Sequence, residues 1–189
     1  MRLTRLCALL VGLSATTAQA QLLDANVSDE SLAMEIHGPL RTGGLADVRY
    51  DLGFIYKDDT RNNTLGALGL NKRLIKDAGL PGLSVGAGGR LYIGDVRSAD
   101  VGALAPGVLL NYVPAIEKRV AVSMQFDYAP SILAFNDAKK LSRFEMRFGY
   151  EVIDQTHVYL GYRDFETKLE NSSTIHVDNG WMLGVEFPL

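Results

Sequence analysis

The feature that most limits what this chain can fold into is a period-two alternation that runs to its last residue. Trp181, Leu183, Val185, Phe187 and Leu189 alternate with Met182, Gly184, Glu186 and Pro188. Successive side chains of a strand point to opposite faces, so this stretch carries one large apolar face and one small or polar face. The apolar face continues to the end, where soluble domains usually fray. The same pattern recurs upstream, punctuated by Gly, Pro, Asn and Asp. It is clean over residues 48–56, 83–93, 120–128 and 144–152, and shorter at Leu32, Met34 and Ile36. Residues 64–73, 104–112 and 157–165 are less regular but bounded by turns. These apolar positions do not recur at three-to-four spacing, which excludes amphipathic helices.

Alternation by itself fits two architectures. A water-soluble barrel keeps its apolar face inside, whereas a membrane barrel turns that face to lipid and keeps a polar lumen. Three features point to lipid: the apolar chain end, the size and aromaticity of the apolar face, and an off-face rich in Gly and charge. The expected fold is therefore all-β, a single antiparallel up-and-down transmembrane barrel of eight to ten strands. Nine segments are evident, and bacterial single-chain barrels carry even counts. A short strand over residues 22–27, with residues 28–30 as its turn, makes ten the favoured number. Eight follows if two weak segments are loops.

The N-terminus fits export. Met1 to Arg5 is basic, residues 6–13 are apolar, and Ala18-Gln19-Ala20 is a small-x-small cleavage site. This pattern marks residues 1–20 as a secretory signal peptide and residues 21–189 as one barrel domain. The apolar run is about half of the ~20 residues a spanning helix needs. Cys7 lies within it, so the mature chain has no thiol or disulfide chemistry. Loss of Arg2 and Arg5 takes the formal charge from −3 to about −5, which leaves no basic surface for nucleic acid. Residues 102–116 are too short for a membrane helix and are broken by Pro106, Asn111 and Pro114.

Outer-membrane barrels have short periplasmic turns and longer outward loops. Residues 114–119 and 153–156 read as short turns, and residues 129–141 and 167–174 as longer polar loops. By alternation, residues 57–63 and 95–103 are outward and residues 75–82 periplasmic.

Three segments carry a family resemblance: Asp127-Tyr128-Ala129-Pro130-Ser131-Ile132-Leu133, Leu104-Ala105-Pro106-Gly107-Val108, and Val158-Tyr159-Leu160-Gly161-Tyr162-Arg163. Together they make the chain similar to the YfaZ family of Gram-negative outer-membrane proteins, over most of its mature length. The resemblance implies an outer-membrane β-barrel of unassigned biochemical role and supplies no catalytic residues. The chain end also resembles the signal read by the outer-membrane assembly machinery, with Gly184, Phe187 and Leu189 in its glycine, aromatic and terminal positions. Leu189 departs from the usual terminal Phe. Pro188 cannot donate a ladder hydrogen bond and is tolerable only at a strand end. The partners this implies are outer-membrane lipid and lipopolysaccharide, with the assembly machinery and periplasmic chaperones during biogenesis. No cofactor or metal is expected.

The expected lumen face gathers Arg49, Asp51, Arg90, Asp127, Arg143, Glu145, Arg147, Glu151, Arg163 and Glu186. Charged rings can set ion selectivity in a pore. Barrels of about eight strands are, however, just filled by their own side chains, which favours a salt-bridged plug. His176 and Asp178 read as a pair on one face of the last strand, near its outward end. Rim Asp/His pairs activate water in the ten-stranded omptin proteases, with a second carboxylate cluster needed opposite; Asp58 and Asp59 are the nearest by orientation. The bland alternative is two ordinary rim residues, and a non-enzymatic role is the expectation. Tyr50, Tyr56, Tyr128, Tyr150, Tyr162 and Trp181 are candidates for interfacial aromatic girdles. Asn26, Asn62 and Asn171 begin sequon matches, read as chance in polar turns. Gly86-Ala87-Gly88-Gly89 lies inside a strand and is not a phosphate loop. The functional classes left open are a membrane-structural or interaction protein, a narrow passive pore, a rim hydrolase and a soluble periplasmic barrel.

Overall fold

The computed structural model describes residues 21–40, 48–58, 63–170 and 174–189. The signal peptide expected over residues 1–20 lies outside the described residues, as do Asp59, Asn62 and the sequon at 171–173. In chain order the strands are β1 (Leu22–Ser28), β2 (Ser31–Pro39), β3 (Val48–Lys57), β4 (Asn63–Lys76) and β5 (Leu83–Val96). There follow β6 (Ala99–Tyr112), β7 (Val120–Ala129), β8 (Ala134–Asn136), β9 (Ala138–Ile153), β10 (Thr156–Leu169) and β11 (Thr174–Pro188). Every pairing is antiparallel between neighbours, and β11 pairs back onto β1 from Leu22↔Pro188 to Ser28↔Met182. Leu189 N extends this seam by donating to Gln21 O at 2.9 Å. The sheet is thus closed, with no free edge at the seam.

The ring has ten wall positions, because β7 and β8 share one. β7 pairs with β6 over Gly107 to Tyr112, and β8 replaces it over Val101 to Ala103. Between them, Pro130 opens a 3-10 turn (Ser131–Leu133) that takes the chain out of the ladder. Opposite this break, Pro106 has no N–H to leave unsatisfied. A side chain at Gly107 would strike the Asp127 carboxylate. Two of the segments that carry the family resemblance are therefore the two sides of one interruption in the wall.

Burial follows the alternation with its sense inverted. Trp181 and Leu183 are 59% and 63% exposed on the outside, while Asp24 and Arg163 are 0% and 1% exposed inside. Leu68, Leu70, Val108, Phe126, Phe148 and Leu160 share the exposed outer face. In water each such side chain would forgo about 1.5–3 kcal/mol of burial, so this outer surface is built for lipid. Tyr162 and Trp181 meet edge-on with centroids 5.7 Å apart. Past Tyr162 the outward residues of β10 are Asp164, Glu166 and Lys168, so this pair stands where the apolar band ends. Tyr50 and Tyr150 lie toward the rim carrying the chain ends, and Tyr56 and Tyr128 toward the opposite rim.

The loop expectations are corrected. Residues 95–103 are not an outward loop: β5 and β6 pair through Val96↔Ala99 around a turn of Arg97 and Ser98, both at positive φ. Residues 129–141 contain β8 and the start of β9, and β10 runs to Leu169 inside the expected 167–174 loop. The described connections at the chain-end rim include two that run from Asp77 to Gly82 and from Val113 to Arg119. They exceed the turns at Asp29 and Glu30 and at Arg97 and Ser98 on the far rim, so loop length does not assign the two ends. Polar residues continue the ladder beyond the apolar band, which disguises strand as loop.

Candidate functional site: a three-tiered bore

Inward-facing side chains divide the lumen into three tiers. At the waist lies a nearly dry ion-pair network. Arg163 on β10 donates from Nε to Glu145 Oε2 at 2.7 Å, from Nη1 to Asp178 Oδ2 at 3.0 Å, and from Nη2 to Asn26 Oδ1 at 3.0 Å. Arg143 Nη2 donates to the same Glu145 oxygen at 2.7 Å. Arg147 pairs with Glu145 and reaches across the seam to Asp24 Oδ2 at 2.7 Å. Arg90 on β5 is 2.8 Å from Asp51 Oδ2 and 3.3 Å from Glu35 Oε1. Two tyrosines close the network, Tyr92 donating to Asp127 Oδ2 and Tyr159 to Asp24 Oδ1, each at 2.7 Å. Buried charge is tolerated only when paired and hydrogen-bonded, and every arginine of the waist has a carboxylate partner.

Above the waist, toward the far rim, the bore is mainly apolar, with Asn63 and Thr167 buried beside the apolar side chains. Leu65, Val96, Val101, Leu141, Phe165 and Val177 are each 2% exposed or less, and Ile55, Leu169 and Ile175 join them. Phe165 packs on the Tyr92 ring with centroids 5.2 Å apart, which joins the plug to the waist. Below the waist, toward the chain-end rim, the side chains shorten and the bore opens into a vestibule of about 570 Å³. Its wall carries Arg49, Arg73, His37, His157 and Glu186 on one side and Ser84, Asn111 and Ser123 on the other. Glu186 Oε2 lies 3.1 Å from His37 Nε2, and Oε1 lies 3.7 Å from His157 Nδ1.

Of the charged positions expected in the lumen, seven meet in the waist: Asp51, Arg90, Asp127, Arg143, Glu145, Arg147 and Arg163. Arg49 and Glu186 lie lower, on the vestibule wall. Glu151 is apart from both, accepting a hydrogen bond from Gln155 N at 2.9 Å in the β9–β10 turn. Asp24, Asn26, Glu35, Tyr92, Tyr159 and Asp178 complete the site and were not among the expected lumen charges. Their signal was present: Asp24 sits between Leu23 and Ala25, and Glu35 between Met34 and Ile36, on the off-face of the same alternation.

The proposed rim pair comes apart. His176 pairs with Glu166 and Asp178 with Phe165, so Val177 is bulged out of register. One extra residue reverses the parity of a strand. The His176 side chain is accordingly 53% exposed and sits 3.4 Å from Asp164, while Asp178 points into the waist. Among the described residues no group of three or more His, Cys, Asp or Glu side chains is placed to hold a metal ion.

At the chain end, Gly184 faces inward, where a Cβ would collide with the Tyr159 ring. Its glycine is thus a packing requirement of the neighbouring strand. Phe187 lies on the lipid face opposite Leu23, and Leu189 is exposed at the rim.

A family model described as YfaZ precursor matches residues 1–189. No curated protein matches the chain. Among solved structures, a chain from work on the mechanism behind the in-meso crystallization of membrane proteins is similar at 11% identity and TM-score 0.47. That match covers 90% of this chain and 83% of the other. The outer membrane channel DcaP of Acinetobacter baumannii is similar at 11% identity and TM-score 0.41, over 88% of this chain; the match spans about half, 54%, of the DcaP chain.

Proposed function

The chain belongs to the YfaZ precursor family, and from that premise we propose that it works in the bacterial outer membrane as a closed barrel with a structural or interaction role. The observation that carries this is the apolar plug seated on the ion-pair waist. Val96, Val101, Leu141 and Phe165 fill the bore on one side of a layer in which Arg163 spans from Glu145 to Asp178. An ion crossing here would have to displace both tiers, one apolar and one already charge-matched. Outer-membrane lipid and lipopolysaccharide face the band of outward apolar side chains. The assembly machinery and periplasmic chaperones handle the chain before it closes, through the strand ending in Gly184, Phe187 and Leu189.

The role is non-enzymatic. The bulge at Val177 supports this reading, since it separates His176 from the carboxylate that a rim hydrolase would use.

The second reading, a narrow passive pore, draws support from the open vestibule. Planar-bilayer recording of the full chain separates the two. The closed barrel is expected to give no conductance above the detergent background, and discrete unitary steps would overturn it. Recovery of the protein from outer membranes with heat-modifiable migration is the expected localisation result; recovery in the soluble periplasmic fraction would overturn it.

A further inference from the structure

The vestibule differs from the waist in one respect that its shape does not require. Each waist arginine is ion-paired, but Arg49 and Arg73 have no carboxylate partner among the described residues. They lie on neighbouring strands, with Arg49 opposite Asn71, so Arg73 is its diagonal neighbour at the mouth. Like charges on one face of adjacent strands repel, and an anion between them removes that repulsion. Arg90 lies beneath the floor, 3% exposed, and its Nη1 makes no hydrogen bond, with Asp127 Oδ2 3.8 Å away. The four acids that line it are already engaged, Glu186 with His37, Glu35 and Asp51 with Arg90, and Glu145 with Arg143 and Arg163.

The opposite wall is uncharged. Ser123 and Asn111 present a hydroxyl and an amide, and Gln125 uses its Nε2 on Asp127, leaving its carbonyl oxygen to accept. Amide and hydroxyl groups facing a cationic wall match a molecule with an anionic end and several hydroxyls. A volume of about 570 Å³ lies in the range of sites for small organic ligands. We propose that the vestibule is a blind binding site for a small hydroxylated organic anion, which enters from the rim that carries the chain ends. The blind end rests on the closed-barrel reading.

The test is calorimetric titration of the full chain, folded in detergent at low ionic strength, with glucose 6-phosphate as probe and with inorganic phosphate and glucose alongside. Saturable binding of the sugar phosphate is expected. It should weaken at least tenfold in R49Q/R73Q, exceed inorganic phosphate, and disappear with glucose. Heat-modifiable migration of the variant reports that its barrel is closed. No binding of the sugar phosphate, or equal affinity in wild type and variant, would overturn the site. Phosphate binding as tightly as the sugar phosphate would overturn the hydroxylated class. Bilayer recording keeps the two proposals distinct. A conducting barrel that binds the probe through Arg49 and Arg73 overturns only the closed reading, and a silent barrel that does not bind overturns only the site.

Discussion

The two ends of this bore are enclosed by the same ten-position wall yet behave as different materials. Toward the far rim, Val96, Val101, Leu141, Phe165 and Val177 pack into one cluster and are each no more than 1% exposed. Toward the chain-end rim, Gly86, Ser84, Ser123 and Gly149 occupy equivalent inward positions and leave a vestibule. Strand number sets the width of a barrel, but side-chain volume decides whether that width is space. The waist holds the two apart, since its ion pairs can neither dissolve into the plug nor hydrate freely.

This contrast can be broken at several points. The largest effect is expected at the waist. Arg163→Met removes the shared partner of Glu145 and Asp178; Glu145 keeps Arg143 and Arg147, but Asp178 is left as a buried carboxylate with no cation. Breaking a buried pair in this way costs about 3–5 kcal/mol, to be read as a lower urea midpoint for the protein folded in lipid vesicles. A loss under about 1 kcal/mol would mean that the waist is wet. In the plug, Phe165→Ala should cost about 3 kcal/mol through the cavity it leaves. An unchanged midpoint there would show a loosely packed far end and erase the difference between the two ends.

Gly184→Ala tests the boundary between waist and vestibule. A methyl driven into the Tyr159 ring should cost about 2 kcal/mol by overpacking. Tyr159→Ala has its own cost through the lost hydrogen bond to Asp24, and the double variant should recover most of the overpacking loss relative to the sum of the two single losses. If the double variant gains nothing back, the glycine serves something other than this contact. The smallest effect belongs to the vestibule. Arg49→Gln and Arg73→Gln break no pair, so each should move stability by less than about 0.5 kcal/mol. A larger loss in the same urea titration would mean these arginines have structural partners.

The architecture was legible because a lipid exterior and a charged interior impose period two on every strand. Even the short first strand could be inferred, since single-chain bacterial barrels carry even counts. The plug was not legible. Ile55, Leu65 and Val101 are as apolar as lipid-facing residues, and nothing in their neighbours marks them as inward ends of long strands. The strand ends misled for a related reason, because the ladder outlasts the apolar band and Asp95, Asp100 and their neighbours look like loop. The bulge at Val177 carries no Gly or Pro to announce it. Without it His176 and Asp178 seem to share a face, and a candidate catalytic pair appears where the chain has placed one residue outside and the other in the waist.

The break between β7 and β8 has a consequence for motion. A closed ring of strands has no terminus from which hydrogen bonds can peel, so local opening must begin at a defect. Here Leu104 to Pro106 are laddered on the β5 side only. This gap is the barrel's one frayed place in the middle of its wall among the described residues. Amide hydrogen exchange should therefore be fastest, within the strands, around Leu104, Ala105 and Ala129, and slowest along the unbroken β10–β11 hairpin. The wall would then breathe along a single vertical line, where two of the three segments that resemble the family lie.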